Sequence, residues 1–452
     1  MYTFLNTRRL ALLGVGICLC LGGAPLQAQD EDSNSELIQV IAEFVKDSDR
    51  DIRALAMQQI REEVPGEAAT RKFAALLGEL SPEAQSDLLD ALGDRGDMAA
   101  REAIVERLEG DEEVVRAAAL RALGNLGSAS DVSLLAAKIA ADSETERQAA
   151  QQSLVRLRGE DVNKTIVSAM GESGNDVCIT LLEVLAARNA KEAIPKVLET
   201  AKDEDRSVRV AALGALRFLA DANHTSALVD LVKDATDATE RRKAELALLS
   251  LCSRSGEACT EAIVTGMRGA KPDACIALLR AVARAGGAKA LEAVVGQLEN
   301  EEDAVHAEAL RALSGWPDGG ALDHLLRIAK ESETTRDHVL ALRGVVRLAG
   351  PAEDHGADLE LLATAMKIAR RPQERRLVVG TLGGVGSAAA LDLVLPFLQD
   401  SALSDEAGLA VTAIAEKTPD GEKEKARAAL ALVAKRVKTP SIRDRAKKLL
   451  EE

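Results

Sequence analysis

Aromatic side chains are scarce: one Trp, one Tyr and five Phe in 452 residues. That argues against rows of stacking platforms for bases or sugars. No sustained alternation rich in Val, Ile and Tyr occurs, so no strand is expected. Positive charge is in deficit, with 57 Lys and Arg against 73 Asp and Glu and a net charge of −16. Residues 1–28 hold Arg8 and Arg9 and no acid, so without them the charge is −18. A surface this acidic lacks the cations that displace counterions from phosphates, which argues against nucleic-acid binding. After residue 28 no apolar run is long enough to span a bilayer, so no stable membrane span is expected. Nucleophile-elbow, metalloprotease and phosphate-loop motifs are missing, and no Cys or His spacing suits zinc. The sequence therefore assigns no catalytic residue, metal site or cofactor.

What is present is repetition. In residues 111–140, Val115, Ala118, Ala119, Ala122, Leu123 and Leu126 share one side of a 3.6-residue period. Arg121 and Asn125 fall toward the other side, and Asp111, Glu112 and Glu113 precede the helix, where its dipole favours negative charge. Gly124 and Gly127 are read as helix-ending residues, and Val132, Leu135 and Ile139 start the next apolar stripe. The pattern recurs at Arg53, Gln85, Arg116, Arg147, Cys178, Arg209, Arg242, Cys275, His306, His338, Arg375, Ala407 and Arg443. One helical hairpin cannot bury its apolar face alone, whereas stacked copies can. Ser81-Pro82, Lys271-Pro272, Arg371-Pro372 and Thr439-Pro440 mark helix starts, proline being suited to the first helical position.

An acidic turn followed by Val-Arg-x-Ala-Ala-x-x-Ala-Leu-Gly resembles the second helix of a HEAT repeat. The resemblance covers residues 37–452 and is clearest at 111–127 and 203–217. It implies an all-α, right-handed α-solenoid of about thirteen antiparallel helix pairs. It also implies that the second helices line the concave side, and that the role is protein binding. The Trp316 turn and the run from His338 to Gly344 are similar to HEAT arrays of exported bacterial proteins.

Residues 1–28 read as an export signal: Arg8-Arg9, an apolar run from Leu10 to Leu21, then a small-residue cleavage region ending at Ala28. The arginine pair leaves a twin-arginine route open beside the general one. A periplasmic or extracellular location follows as an expectation. Residues 29–36, QDEDSNSE, are expected to be an acidic disordered linker.

Four cysteines lie beyond the signal. Cys252 closes one second helix and Cys259 opens the next first helix, which places them across one turn and predicts a disulfide between them. Cys178 and Cys275 are expected to remain thiols. Buried thiols at all four positions are the plainer alternative. His306 and His338 hold the repeat's arginine position in adjacent units and are read as replacing it. Asp354, His355 and Asp358 sit in an inserted loop without a calcium-loop pattern.

One charge feature stands apart. Arg280, Arg311 and Arg343 each lie five residues after the register residue, away from the apolar stripe, with Arg284 and Arg347 one turn further on. With Trp316 at the turn beside them, these residues form the candidate ligand-binding strip. Guanidinium groups suit carboxylates and other anions, so the expected partner is a protein segment or an anionic glycan. The alternative is a solvated face of arginines paired to acids such as Glu308. The functional expectation is an exported, non-catalytic scaffold. A second class remains, an enzyme or enzyme subunit, because HEAT-like folds include lyases with chemistry in the groove. Oligomeric state is not legible.

Overall fold

The computed structural model describes residues 27–352 and 356–451. Among them there is no strand, and the helices alternate as first and second members of thirteen pairs. The chain divides into two compact units, residues 1–193 and 194–452. The described part of the first holds five pairs, from Gln27–Val45 with Arg50–Glu62 to Val162–Glu172 with Asn175–Ala187. The second holds eight, from Ile194–Thr200 with Arg206–Leu219 to Lys423–Arg436 with Pro440–Glu451.

The pair at 101–126 illustrates why these residues fold so. The helix Glu113–Leu126 buries all six expected stripe residues, and also Ala117, Leu120 and Gly124. Its buried arc is wider than one stripe because it packs on its own first helix and on second helices at both sides. Gly127 ends it and donates its N–H to the Leu123 carbonyl. Ser128 and Asp131 then form a reciprocal cap on the turn Ala129–Asp131, and the helix Val132–Ile139 follows. The four proline-marked starts are all helix starts, at Pro82, Pro272, Pro372 and Pro440.

Gly124 does not end the helix. It sits inside it, and a Cβ there would lie 2.7 Å from the Ser153 Cα of the next second helix. Gly93 stands in the same relation to Ala122. These glycines are required for close crossing of backbones, not for a left-handed turn. Gly124→Ala gains helix propensity of about 1 kcal/mol, yet overpacking of this kind costs about 1–3 kcal/mol. The expected outcome is a net loss of up to about 2 kcal/mol, checked by native-state hydrogen exchange across residues 113–156.

The helix Gln27–Val45 runs through residues 29–36, where the charge pattern predicts a disordered linker. Ile38, Ile41 and Val45 are buried and anchor its second half. Once a helix is nucleated, propagating it through polar residues costs little. The proposed signal lies outside the described residues except for Gln27 and Ala28, which begin this helix. No helix of the described residues is long and apolar enough to cross a membrane.

Candidate functional site

The register residue is the fourth residue of every second helix. In the helix Ala238–Ser255 that residue is Arg241, so the alignment on Arg242 is one residue too late. Arg116 shows what the position does. Its guanidinium donates to the Gly110 and Asp111 carbonyls at 2.7 Å, closing its own pair, and to Glu146 of the next unit at 2.9 Å. Arg209 does the same with the Asp203 and Glu204 carbonyls and Glu240. Glu146 and Glu240 immediately precede the next register residues, Arg147 and Arg241. Each such acid therefore receives the base of the unit before it.

His306 and His338 fill this role in turn. His306 Nδ1 faces the Leu298 carbonyl at 2.6 Å and Nε2 faces Asp337 at 3.0 Å. His338 Nδ1 faces the Ala329 carbonyl at 2.7 Å and Nε2 faces Glu374 at 3.1 Å. The two nitrogens of each ring thus face the same kinds of partner, a carbonyl of its own pair and an acid of the next unit, that the guanidinium bridges elsewhere. Burial pushes the Glu374 carboxyl up, but hydrogen bonds from Arg371, two backbone N–H groups and His338 outweigh it, taking it down to about 2.

The expected arginine strip lies on the second helices between Pro272 and Ala349. Arg280 donates to Glu308 at 2.8 Å and to Glu245 at 3.3 Å. Arg311 donates to the other oxygen of Glu308 at 2.8 Å, and Arg242 pairs with Glu245 at 2.9 Å. Glu245 and Glu308 are buried. Burial disfavours the Glu308 carboxylate, and Arg280 and Arg311 overcome it, holding that group below its usual range. Three exposed arginines thus share two buried glutamates. Arg343 is exposed and makes no hydrogen bond or ion pair among the described residues. Arg284 is exposed and donates to the Ser253 hydroxyl at 2.7 Å.

Two expected members leave the strip. Trp316 is 2% exposed, buried in the turn between Ser314 and Gly319, and offers no face to a ligand. Arg347 donates to the Ser314 carbonyl at 3.2 Å and to the Trp316 carbonyl, capping the end of the preceding second helix. Arg95, Arg188 and Arg254 cap earlier helix ends in the same manner. Such a role requires carbonyls about 31–35 residues upstream, which periodicity alone does not reveal.

The sequence matches the family described as HEAT repeats over residues 70–155 and 160–249. The chain carries HEAT repeats. This HEAT-repeat protein is similar in fold to Kap121p bound to Ste12p, with a TM-score of 0.51, 14% identity, and 95% of this chain and 55% of that one covered. It is similar in the same way to Kap121p bound to Nup53p, at 0.51, 13%, 94% and 55%, and to Kap121p bound to Pho4p, at 0.51, 15%, 95% and 55%. The chain spans about 55% of the length of these solved chains. No curated protein sequence matches it.

Elsewhere the HEAT units hold the remaining candidates. All four cysteines beyond residue 28 carry thiols, so the Cys252–Cys259 disulfide is not formed in this structure, although the two side chains are neighbours. Of the inserted loop, Asp354 and His355 lie outside the described residues, and Asp358 caps the helix Leu359–Ile368 through the Leu361 N–H at 2.9 Å. Phe218 has no counterpart among the expected site residues. It is 62% exposed, with the Arg217 guanidinium 5.6 Å from its ring centre. It holds the helical place that Arg284 and Arg347 hold in their own units, nine residues past the register residue. Its signal in the sequence was a lone aromatic on the polar side of the stripe. An open cleft of about 740 Å³ lies beside the first helices Ile194–Thr200 and Thr225–Asp234, lined by both signs of charge, including Lys196, Glu199, Lys202, Asp203 and Asp230. The buried acids Asp131, Glu146, Glu240, Glu245, Glu308, Asp337 and Glu374 are all engaged by Arg or His. They serve as ties within the array.

Proposed function

We propose that this HEAT-repeat protein is an exported, non-catalytic scaffold that binds an acidic segment of a partner protein along its second helices between Arg242 and Arg343. Export rests on the order of charged, apolar and small residues within 1–28. The binding reading rests chiefly on the exposed cations of an otherwise acidic chain, with Arg343 unengaged and Arg242, Arg280 and Arg311 outnumbering Glu245 and Glu308. The buried glutamates orient their guanidiniums in advance, and a partly engaged guanidinium keeps N–H groups for a second carboxylate. Phe218, further along the same helical column, supplies an apolar contact for a segment that carries acids and a hydrophobic residue. Kap121p, similar in fold, has protein partners in its structures, which favours a protein occupant over a glycan.

The test uses the purified full chain with a fluorescein-labelled glutamate-rich peptide containing one leucine, and separately with a sulfated oligosaccharide. Arg343 makes no hydrogen bond or ion pair among the described residues, so Arg343→Glu is expected to leave the fold unchanged. Its expected effect on peptide affinity is a loss of about tenfold at low salt, roughly 1.4 kcal/mol, with a shallower salt dependence. Peptide binding that ignores the substitution, or stronger binding of the oligosaccharide than of the peptide, would overturn the proposal.

A further inference from the structure

Cys252 sits in the last turn of the helix Ala238–Ser255, and Cys259 ends the short turn Gly256–Cys259 that leads into Thr260–Met267. Gly256 reverses the chain between them with φ of 54°, a left-handed value that suits glycine, and its N–H returns to the Cys252 carbonyl. The reversal brings the two thiols beside one another in the same closed turn. Both are closed off from solvent, at 1% and 0% exposure. Cys275 instead points its thiol at the Gln297 amide oxygen, 3.7 Å away.

We infer that Cys252 and Cys259 are a latent disulfide site whose oxidation state is set before this turn packs. In the folded protein burial suppresses the reactive thiolate, and burial is the first cause of the raised Cys252 pKa, with the neighbouring Cys259 adding to it. An oxidant therefore reacts while the turn is still open, and packing then shields the product. The oxidant is a small-molecule disulfide. One cysteine thiolate attacks a sulfur of that disulfide, forming a mixed disulfide and releasing one small thiol. The second cysteine thiolate attacks the first cysteine's sulfur, closing the protein disulfide and releasing the other small thiol. The protein loses two hydrogens and two electrons, and the oxidant gains them.

The two cysteines are separated by Arg254, so trypsin places them on different peptides, 244–254 and 255–268. The reduced full chain is unfolded in urea and divided in two. One half refolds with glutathione and glutathione disulfide present. The other refolds first and meets the same mixture afterwards. Remaining thiols are alkylated in urea, and tryptic peptides are mapped without reductant. In the first half the expected result is the 244–254/255–268 cross-linked pair, a mass lower by about 2 Da, and, among the four cysteines beyond residue 28, alkylation at Cys178 and Cys275 only. In the second half the cross-link forms at least tenfold more slowly. Alkylation of both Cys252 and Cys259 in the first half, a bond that involves Cys178 or Cys275, or equal rates in both halves would overturn the inference. Cys252→Ser provides the control, since it must abolish the cross-linked pair and leave Cys259 alkylatable.

Discussion

Replacing Arg101 with methionine is expected to destabilise its part of the first unit by about 3–5 kcal/mol, the cost of leaving a buried charge without its partner. Asp131 is fully buried, and one of its oxygens accepts from Arg101 Nε at 2.9 Å and from another guanidinium nitrogen at 2.5 Å. The other oxygen accepts only from the Ser128 N–H at 2.8 Å. Without Arg101 the carboxylate keeps that single donor. The converse change, Asp131→Ala, leaves a guanidinium whose side chain is already 35% exposed and can turn to water, so its cost is smaller. Combining Arg101→Met with Asp131→Ala should recover part of the loss. Because an array of units need not unfold in one step, the measurement is native-state hydrogen exchange across residues 98–139. An Arg101→Met protein that keeps protection there within about 1 kcal/mol of wild type would refute this account.

The second large effect belongs to His338. His338→Leu removes the ring nitrogens that face the Ala329 carbonyl and Glu374, both in buried surroundings. Each orphaned acceptor costs about 1–3 kcal/mol. Glu374 retains Arg371 and two backbone N–H groups, so the expected total is about 2–3 kcal/mol. The same joint carries a pH signature. The Glu374 carboxyl falls from an ordinary 4.5 to about 2 in the folded chain. A lowered carboxylate pKa contributes stability that is present above pH 4.5 and is lost as pH falls through about 2. Exchange protection across residues 335–382 should therefore fall over that window. Glu374→Gln should flatten the dependence while lowering protection at neutral pH. An acid profile unchanged by Glu374→Gln would exclude this joint as its source.

Much of the architecture was legible because it depends on local periodicity. The fourth residue of twelve second helices was located from spacing alone, and the one slip, Arg242 for Arg241, arose where two arginines adjoin. The candidate site was less legible. The side of the helix on which Arg280, Arg311 and Arg343 lie follows from the 3.6-residue period. Their partners do not, since Glu245 and Glu308 belong to other units and come within reach only through stacking. Trp316 and Arg347 were misplaced for the same reason. A turn residue and a polar-face arginine look exposed in one unit, and the neighbouring unit buries the first and engages the second.

By itself, then, the sequence determined the all-helical class, the repeat length, the turns and the acidic surface. Each is set within about 30 residues by apolar spacing, capping residues and charge. Only the tertiary structure decided which charged groups are ties and which remain available. Asp131, Glu308 and Glu374 are acids in a polar-looking context along the chain, yet stacking removes them from water and an arginine or histidine from an adjacent unit or turn compensates each. Arg343 differs from Arg280 only in lacking such an acid within reach. That difference is a distance between units, and the spacing of residues along a helix does not contain it.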